Sequence, residues 1–471
     1  MNDAEILNLS AAALVRAIAG GKVTATRAME AALERAQAAH QRLNCVIRLD
    51  VEPALAAARL ADLELRRGAR RGPLQGVPMA HKDMYYRAGV PSSGGSRILG
   101  ERIPSATSTA LARLDAAGAL QFGVLNMAEF AYGPTGHNYH FGHCRNPWDP
   151  ERITGGSSSG SGAAVAARAT FAALGSDTGG SIRLPATFCG VTGLKPTYGR
   201  VSRAGAMPLS FSMDTVGPLA RTVEDCALVL TAIAGADATD PTASNRPVPD
   251  YVRALERPVR GLRIAWSKAY FYDEIDPEIE AVQRASLEQF ARLGAEIVEI
   301  PLPEADGWNA GCAAVIAAEA AAYHGRWLRG RKADYSEQVH ARLVQGQSIP
   351  ATAYIDALRL RGQAVKTFTA KVLSKADVFH APVVAFQTLT IAESDVGAGA
   401  AMTATLARAT RLTRPGNYLG VPALSVPAGF TRRGMPVGMQ LLARPFDEAL
   451  LFAVGHAYQQ ATQWHLELPP Q

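Results

Sequence analysis

Two glycine-rich segments, each containing a candidate nucleophilic serine, constrain this chain more than any other feature. Ser157 lies in Gly-Gly-Ser-Ser-Ser-Gly and Ser181 ends Gly-Ser-Asp-Thr-Gly-Gly-Ser, 24 residues further on. A backbone without Cβ atoms comes close to a substrate and can point spare N–H groups at an oxygen that becomes negative. The two segments therefore predict tight turns around a nucleophilic serine.

Two other uses of glycine-rich sequence are disfavoured. A phosphate-binding loop needs Gly-x4-Gly-Lys followed by Ser or Thr, and no lysine follows either segment. A flexible linker does not fit because residues 163–174 continue as an apolar, helix-favouring run. A nucleophile site is the interpretation that remains.

A serine nucleophile needs a base, and Lys82 is the best candidate. None of the 10 histidines has a sequence context that marks it as the partner. A lysine can act as a base when burial lowers its pKa, and only eight residues are lysines. Lys82 ends a short apolar run after a Gly/Pro turn, which predicts a strand entering the core. The alternative is a strand-end lysine that reaches solvent or pairs with Asp83.

Four segments of the chain belong together: Gly-Val-Pro-x-x-x-Lys-Asp (76–83), the Ser157 segment (155–160), Gly-Ser-Asp-Thr-Gly-Gly-Ser-Ile-Arg-Leu-Pro-Ala (175–186) and Gly-Leu-Lys-Pro-Thr-Tyr-Gly-Arg (193–200). In sequence, order and spacing they closely resemble the amidase signature family. Residues 73–78, 146–149, 214–218 and 415–429 are also similar to the family. The resemblance thus covers nearly the whole chain.

The resemblance implies a Ser-Ser-Lys triad. Ser181 would be the nucleophile, Ser157 the bridging serine after a cis peptide bond, and Lys82 the base. The backbone N–H groups expected to hold the oxyanion are those of Thr178, Gly179, Gly180 and Ser181.

Three residues around the nucleophile have expected supporting roles. The charges of Asp177 and Arg183 are predicted to hold the turn rather than to take part in the chemistry. Leu184 occupies a position that varies within the family and is predicted to bind substrate. Since a leucine offers no partner to a charge, it favours an apolar or aryl acyl group. The same leucine occurs in relatives that resemble indoleacetamide hydrolases.

The expected function is that of a stand-alone amidase that cleaves the C–N bond of a small apolar or aryl carboxylic amide through an acyl-enzyme. The main alternative is the glutamine-hydrolysing A subunit of a tRNA-dependent amidotransferase. Leu184 replaces the glutamine usual in that protein, and its acidic residue has no counterpart between residues 401 and 415. A carbamate, ester or anilide hydrolase of the same family also stays open. A non-catalytic scaffold is disfavoured because all three triad residues are present.

The fold implied by the resemblance is α/β, a large twisted mixed β-sheet covered by α-helices on both faces. It is expected to form a single domain over residues 1–471, with an N-terminal helical segment, 1–70, packing on it. The residue pattern itself predicts two helices within 10–40, separated by Gly20-Gly21, and a strand-helix-strand unit at 262–266, 279–293 and 295–300.

Composition bounds the remaining expectations. No signal peptide or apolar run of membrane-spanning length is visible, and five cysteines do not form a disulfide framework, so a cytoplasmic protein is expected. The net charge of +6 comes without a basic cluster, which argues against nucleic acid. His137, His140 and His143 match no zinc spacing, so no metal or cofactor is expected. The expected partners are a small-molecule amide and a second copy in a homodimer.

Overall fold

One mixed β-sheet runs through the molecule. The computed structural model describes residues 1–100 and 102–470. Within them, eleven strands form a single sheet. The strands are β1 (Val46–Leu49), β2 (Pro78–Lys82), β3 (Leu120–Leu125), β4 (Ala172–Asp177), β5 (Thr192–Lys195), β6 (Thr215–Ala220), β7 (Arg263–Trp266), β8 (Glu296–Glu299), β9 (Val378–Pro382), β10 (Ala423–Phe430) and β11 (Pro436–Leu442).

The strand order is β1-β3-β2-β4-β6-β5-β10-β11-β9-β7-β8. β2 lies between β3 and β4 and is parallel to both. β7 is parallel to β8 and β9, and the remaining pairs are antiparallel. Every residue of β2, β4, β5, β6, β9 and β11 is buried, as expected for strands covered on both faces.

Helices surround the sheet. They are α1 (Asp3–Asn8), α2 (Ala11–Ala19), α3 (Ala25–Leu43), α4 (Val51–Arg66), α5 (Thr109–Ala116), α6 (Ser159–Ala166), α7 (Arg183–Cys189), α8 (Val223–Ile233), α9 (Pro277–Arg292), α10 (Ala305–Leu328), α11 (Glu337–Gln347), α12 (Ala351–Phe368), α13 (Ile391–Ser394), α14 (Ala400–Thr410), α15 (Arg414–Leu419) and α16 (Glu448–Ala461). Among the described residues, none of these helices has the length and apolar character needed to cross a bilayer.

Alternating side chains of β10 show that helices cover both faces of the sheet. A Cβ built on Gly455 of α16 would lie 2.7 Å from Leu424 and 3.4 Å from Val426. The intervening Ser425 points to the opposite face, where its Oγ lies 3.3 Å from Oγ1 of Thr187 in α7. The predicted α/β architecture with helices on both faces is therefore confirmed.

The elements predicted from residue patterns also form. α2 and α3 flank Gly20-Gly21, and β7, α9 and β8 make the strand-helix-strand unit with β7 parallel to β8. Asp276 caps α9 by accepting the N–H groups of Glu278 and Ile279, and Pro277 takes the first helical position. The N-terminal segment, residues 1–70, contains a strand as well as helices, since its β1 pairs with β3 at the sheet edge.

The prediction of a helix-favouring run over residues 163–174 is wrong for its second half. α6 ends at Ala166, and Arg168 has a left-handed φ of 59°. Residues 172–174 belong to β4 and pair with Met79, Ala80 and His81 of β2. Strand pairing in the core thus overrides the helix propensity of an alanine-rich segment. This strand leads the chain to Ser176 and Ser181.

Candidate active site

Lys82 is the last residue of β2 and is completely buried. Its Nζ lies 2.7 Å from Oγ of Ser157, 2.9 Å from Oγ of Ser176 and 3.1 Å from Oγ of Ser158. Burial lowers the pKa of Lys82 to about 7, although the negative charges of Asp214 and Asp177 oppose that shift. A substantial fraction of the amine is therefore neutral near neutral pH, unlike a solvent-exposed lysine.

The three hydroxyls suit an amine that acts as a base. A neutral amine has two N–H donors and one lone pair. Ser158 Oγ donates to the Ser176 carbonyl at 3.3 Å, so it is free to accept an N–H from Lys82. With the second N–H on Ser176, the lone pair faces the Ser157 hydroxyl, which is the closest of the three. The arrangement can withdraw a proton from Ser157.

Ser157 lies just before α6, in the turn that brings the first glycine-rich segment against the sheet. The Gly156–Ser157 peptide bond is cis, as the resemblance implies. A Cβ at Gly156 would clash with the Gly133 carbonyl oxygen, so only glycine fits this close approach. The Ser158 N–H donates to the Ser181 carbonyl at 3.3 Å and joins the two serine segments.

Ser181 lies in the turn between β4 and α7, with 8% of its surface exposed. It lines a cavity of about 30 Å³. Within the described residues its hydroxyl makes no hydrogen bond, so Oγ is free to meet a molecule in the cavity. The strand-turn-helix junction thus holds the Ser181 side chain against this cavity.

The four predicted oxyanion donors are not equivalent. The Gly180 N–H donates to Oδ1 of Asp177 at 2.8 Å and is therefore engaged within the protein. Thr178, Gly179 and Ser181 make no such bond to that carboxylate among the described residues. The Thr413 hydroxyl donates to the Gly179 carbonyl at 2.6 Å and fixes the turn. The structure thus departs from the prediction at Gly180.

Asp177 and Arg183 form a buried ion pair behind the turn. Arg183 donates to the carboxylate through Nε at 3.0 Å and Nη2 at 3.1 Å, and both side chains are completely buried. Asn417 and Gln440 accept the other guanidinium N–H groups. Burial alone would raise the pKa of Asp177, but the Arg183 charge holds it at about 2. Neither residue lines the Ser181 cavity, which supports the predicted structural role.

Replacing Arg183 with methionine should lower the free energy of unfolding by about 3–5 kcal/mol, because it leaves the Asp177 charge buried without a partner. Chemical denaturation measures the loss. Arg359→Met is the matched control, since Arg359 pairs with Asp356 on an exposed helix face and its loss should cost under about 1 kcal/mol. A similar, small cost for both variants would contradict a supporting role for the buried pair.

Contrary to the prediction, Leu184 does not reach the cavity. It is completely buried in α7 and packs in an apolar cluster, and it is absent from the described lining of the Ser181 cavity. The helix that starts at Arg183 turns the Leu184 side chain under the Ser181 turn, where a Cβ on Gly180 would lie 3.2 Å from it. The structure therefore places this substrate-binding candidate behind the cavity wall. The other members of the cluster are Ile153, Phe188, Val383, Val384, Phe386 and Ala409.

Sequence reasoning missed two arginines that line this cavity. Arg342 of α11 and Arg414 at the start of α15 face it together with Tyr132. The same three residues also line an adjoining cavity of about 340 Å³. Neither arginine lies in the motifs around the serines, and no local signal marks them among the chain's many positive charges. Ser158 and Ser176, by contrast, stand inside the quoted motifs, although the motifs alone indicate no role for them.

The histidine-rich loop is tied to its surroundings by hydrogen bonds. His137 Nε2 lies 2.9 Å from Ser394 Oγ, and His140 Nε2 lies 2.7 Å from Glu129. In the part of the chain that the structure describes, no group of three or more His, Cys, Asp or Glu side chains is arranged to hold a metal ion.

Comparison with known proteins gives consistent matches along the chain. The family model described as Amidase matches residues 27–452. The sequence is 40% identical to the A subunit of the glutamyl-tRNA(Gln) amidotransferase of Chloroflexus aurantiacus over 99% of both chains. It is 41% identical to the protein of that name from an Anaeromyxobacter species over 94% of both.

Solved structures of similar proteins share the fold. The native peptide amidase of Stenotrophomonas maltophilia superposes with a TM-score of 0.85 at 31% identity over 98% of both chains. A chain from a vestigial protein complex, which bears on the origins of an s-triazine catabolic enzyme, gives a TM-score of 0.89 at 34% identity, covering 97% of this chain and 99% of its own. A 6-aminohexanoate cyclic dimer hydrolase gives 0.88 at 28% identity, covering 98% and 99%.

Proposed function

This chain belongs to the amidase family and is an amidohydrolase, and on that premise we propose that it cleaves linear carboxylic amides with Ser181 as nucleophile, Ser157 as proton relay and Lys82 as base. The observation that carries this proposal is the 2.7 Å contact between Lys82 Nζ and Ser157 Oγ in a fully buried site. A lysine held this way is partly neutral at neutral pH, so it can accept a proton without any histidine.

The first half of the reaction makes an acyl-enzyme. Neutral Lys82 accepts the proton of Ser157, and Ser157 accepts the proton of Ser181 as Ser181 Oγ bonds to the amide carbon. The negative oxygen of the tetrahedral intermediate is stabilised by N–H groups of the turn that the Asp177 carboxylate does not occupy, those of Gly179 and Ser181 among them. The C–N bond then breaks, and the proton returns through Ser157 to the leaving nitrogen.

The second half repeats these steps with water. Ammonia or an amine leaves, and Ser157 and Lys82 take a proton from the water that attacks the ester carbon of the acyl-enzyme. Return of the proton to Ser181 releases the carboxylic acid and restores the free serine. Carbamates, esters and anilides would follow the same route, because the attack on the carbonyl carbon and the tetrahedral intermediate are common to all of them.

A fluorophosphonate probe tests the assignment of the nucleophile. We expect one covalent adduct, mapped by mass spectrometry to the peptide that contains Ser181, and no adduct after prior denaturation of the protein. The Lys82→Met variant should react more slowly because the relay lacks its base. A folded protein that forms no adduct on Ser181 would favour a non-catalytic scaffold and contradict the proposal.

A second candidate is the glutamine-hydrolysing A subunit of an amidotransferase. The relatives of that name are 40–41% identical over nearly the whole chain, and they support this candidate better than the stand-alone amidase expected from sequence. Nor do they support the expectation that nucleic acid is excluded as a partner, since their name refers to glutamyl-tRNA(Gln). The charges of the cavity, two arginines without an acidic residue among its described lining, favour the stand-alone enzyme.

Ammonia release separates the two candidates. An amidotransferase component should hydrolyse glutamine only when its partner proteins are added. A stand-alone amidase should release ammonia or amine from a panel of aryl, aliphatic and carbamate substrates as the isolated chain, and the partner proteins should leave those rates unchanged.

A further inference from the structure

Arg414 has an unmet hydrogen-bonding requirement beside the Ser181 turn. Its Nε is buried, and within the described residues it has no hydrogen-bond partner. A Cβ built on Gly179 would lie 3.5 Å from Arg414 Cγ and 3.9 Å from Nε, so the guanidinium approaches the turn that carries the nucleophile. Buried donors are nearly always paired, because leaving one unpaired costs free energy. An acceptor that enters beside Arg414 would satisfy this donor.

Arg342 supplies a second positive charge to the lining of the Ser181 cavity. Its Nη1 donates to the Tyr132 carbonyl at 2.7 Å, and its guanidinium carbon lies 3.5 Å from the centre of the Tyr132 ring. These contacts fix the guanidinium and leave other N–H groups available. Burial lowers the pKa of Arg342, Tyr132 opposes the shift, and the charge of Arg414 adds to it, which reflects the closeness of the two guanidiniums.

Nothing acidic balances these charges in the cavities. The two cavities that share Arg342 and Arg414 have no Asp or Glu among their described lining residues. Burial lowers the pKa of Arg414, and the groups that oppose this shift are Cys312, Tyr132 and Tyr270, none of which is a carboxylate. Both arginines are partly buried. Two partly desolvated positive charges without a counter-ion are costly, and an anion that enters the cavity would relieve that cost.

We propose that Arg414, together with Arg342, binds a carboxylate of the substrate. The substrate then carries two groups, the amide that is cleaved at Ser181 and a free carboxylate that has no ammonium group next to it. The planar guanidinium matches a carboxylate in shape and can bind both its oxygens. The adjoining cavity of about 340 Å³ receives the rest of the molecule. This inference rests on the proposed function and names its substrate class. The buried Leu184 does not define that class, because it does not line the cavity.

An α-amino acid fits this site poorly. Its ammonium group would enter beside two guanidiniums, and the described lining offers it no carboxylate. Like charges repel, and the repulsion is stronger in a partly desolvated cavity than in open water. Monoamides of dicarboxylic acids carry the carboxylate without the ammonium and are the simplest members of the proposed class.

Protection of Ser181 from the fluorophosphonate probe tests this inference without knowledge of the natural substrate. The ligands are succinate, glutarate and adipate, compared with the uncharged diamides of the same lengths and with glutamate. We expect at least one dicarboxylate to slow labelling of Ser181 at a concentration about 10- to 100-fold below that of its diamide. Glutamate should protect less well than glutarate.

Variants assign the effect to Arg414. Arg414→Met should weaken protection by the dicarboxylate about 10- to 100-fold and leave protection by the diamide within about threefold, whereas Arg414→Lys should restore part of the difference. Arg359→Met, on an exposed helix face, is the control and should protect as the wild type does. Equal protection by diacid and diamide, or unchanged protection in Arg414→Met, would overturn the inference. Absence of any labelling at Ser181 would instead overturn the proposed function.

Discussion

Replacing Ser181 with alanine should lower kcat for amide hydrolysis by roughly 10⁴- to 10⁶-fold, because no other group can form the bond to the acyl carbon. Ser181 lines the cavity, and its hydroxyl makes no hydrogen bond among the described residues, so its removal breaks no internal contact. The free energy of unfolding should therefore change by under about 1 kcal/mol. Steady-state kinetics with an amide cleaved by the wild type, together with chemical denaturation, measures both quantities.

Ser161→Ala provides the matched control for this substitution. Ser161 is a completely buried serine of α6, and its hydroxyl donates to the Leu174 carbonyl at 3.0 Å, away from Lys82. Its loss should cost about 1 kcal/mol of stability and leave kcat within about threefold of the wild type. Residual activity of Ser181→Ala above a few per cent, with contamination excluded, would rule out Ser181 as the nucleophile.

Replacing Lys82 with methionine should lower kcat/KM by roughly 10²- to 10⁴-fold, the usual contribution of a general base. Methionine matches the buried aliphatic chain but leaves Ser157 without a proton acceptor. In the wild type, activity should fall about tenfold per pH unit below pH 7, because acid protonates the amine whose pKa lies at about 7. The residual activity of Lys82→Met should lack this acid limb.

Lys195 provides a matched control for the Lys82 substitution. It also ends a strand, is also completely buried, and burial also lowers its pKa to about 7. Its Nζ donates to the Pro196 carbonyl at 2.9 Å rather than to the serine hydroxyls. Lys195→Met should therefore keep kcat/KM within about tenfold and keep the acid limb. If both variants lost activity and pH dependence equally, a specific base role for Lys82 would be wrong.

The parts of the fold and site that sequence predicts are those fixed by local geometry. Gly20-Gly21 separates α2 from α3, and Asp276-Pro277 starts α9, because these residues end or begin helices wherever they occur. The Gly/Pro turn and the apolar run predict a strand entering the core, and Lys82 ends that strand in the structure. The residue pattern alone favours a Lys82 side chain that reaches solvent or pairs with Asp83, whereas the structure buries it. The contact of Ser157 with Lys82 follows from the family resemblance rather than from spacing.

The parts that sequence missed depend on contacts between distant segments. Residues 172–174 are helix-favouring by composition but lie in β4, because β2 and β6 pair with them on either side. Leu184 indicates an apolar substrate by its residue type, yet it is buried beneath the turn. Arg342 and Arg414 come to the cavity from α11 and α15, and the engagement of the Gly180 N–H depends on how the Asp177 carboxylate turns. A single sequence does not determine these long-range placements.

The protonation state of Lys82 in the folded protein tests the central claim most directly. The chain has eight lysines, so NMR of protein labelled only at the lysine side-chain amines gives a spectrum that Lys82→Met and Lys195→Met can assign. We expect the Lys82 signal to titrate near pH 7. A Lys82 amine that stays fully charged to pH 9 would contradict its role as the base.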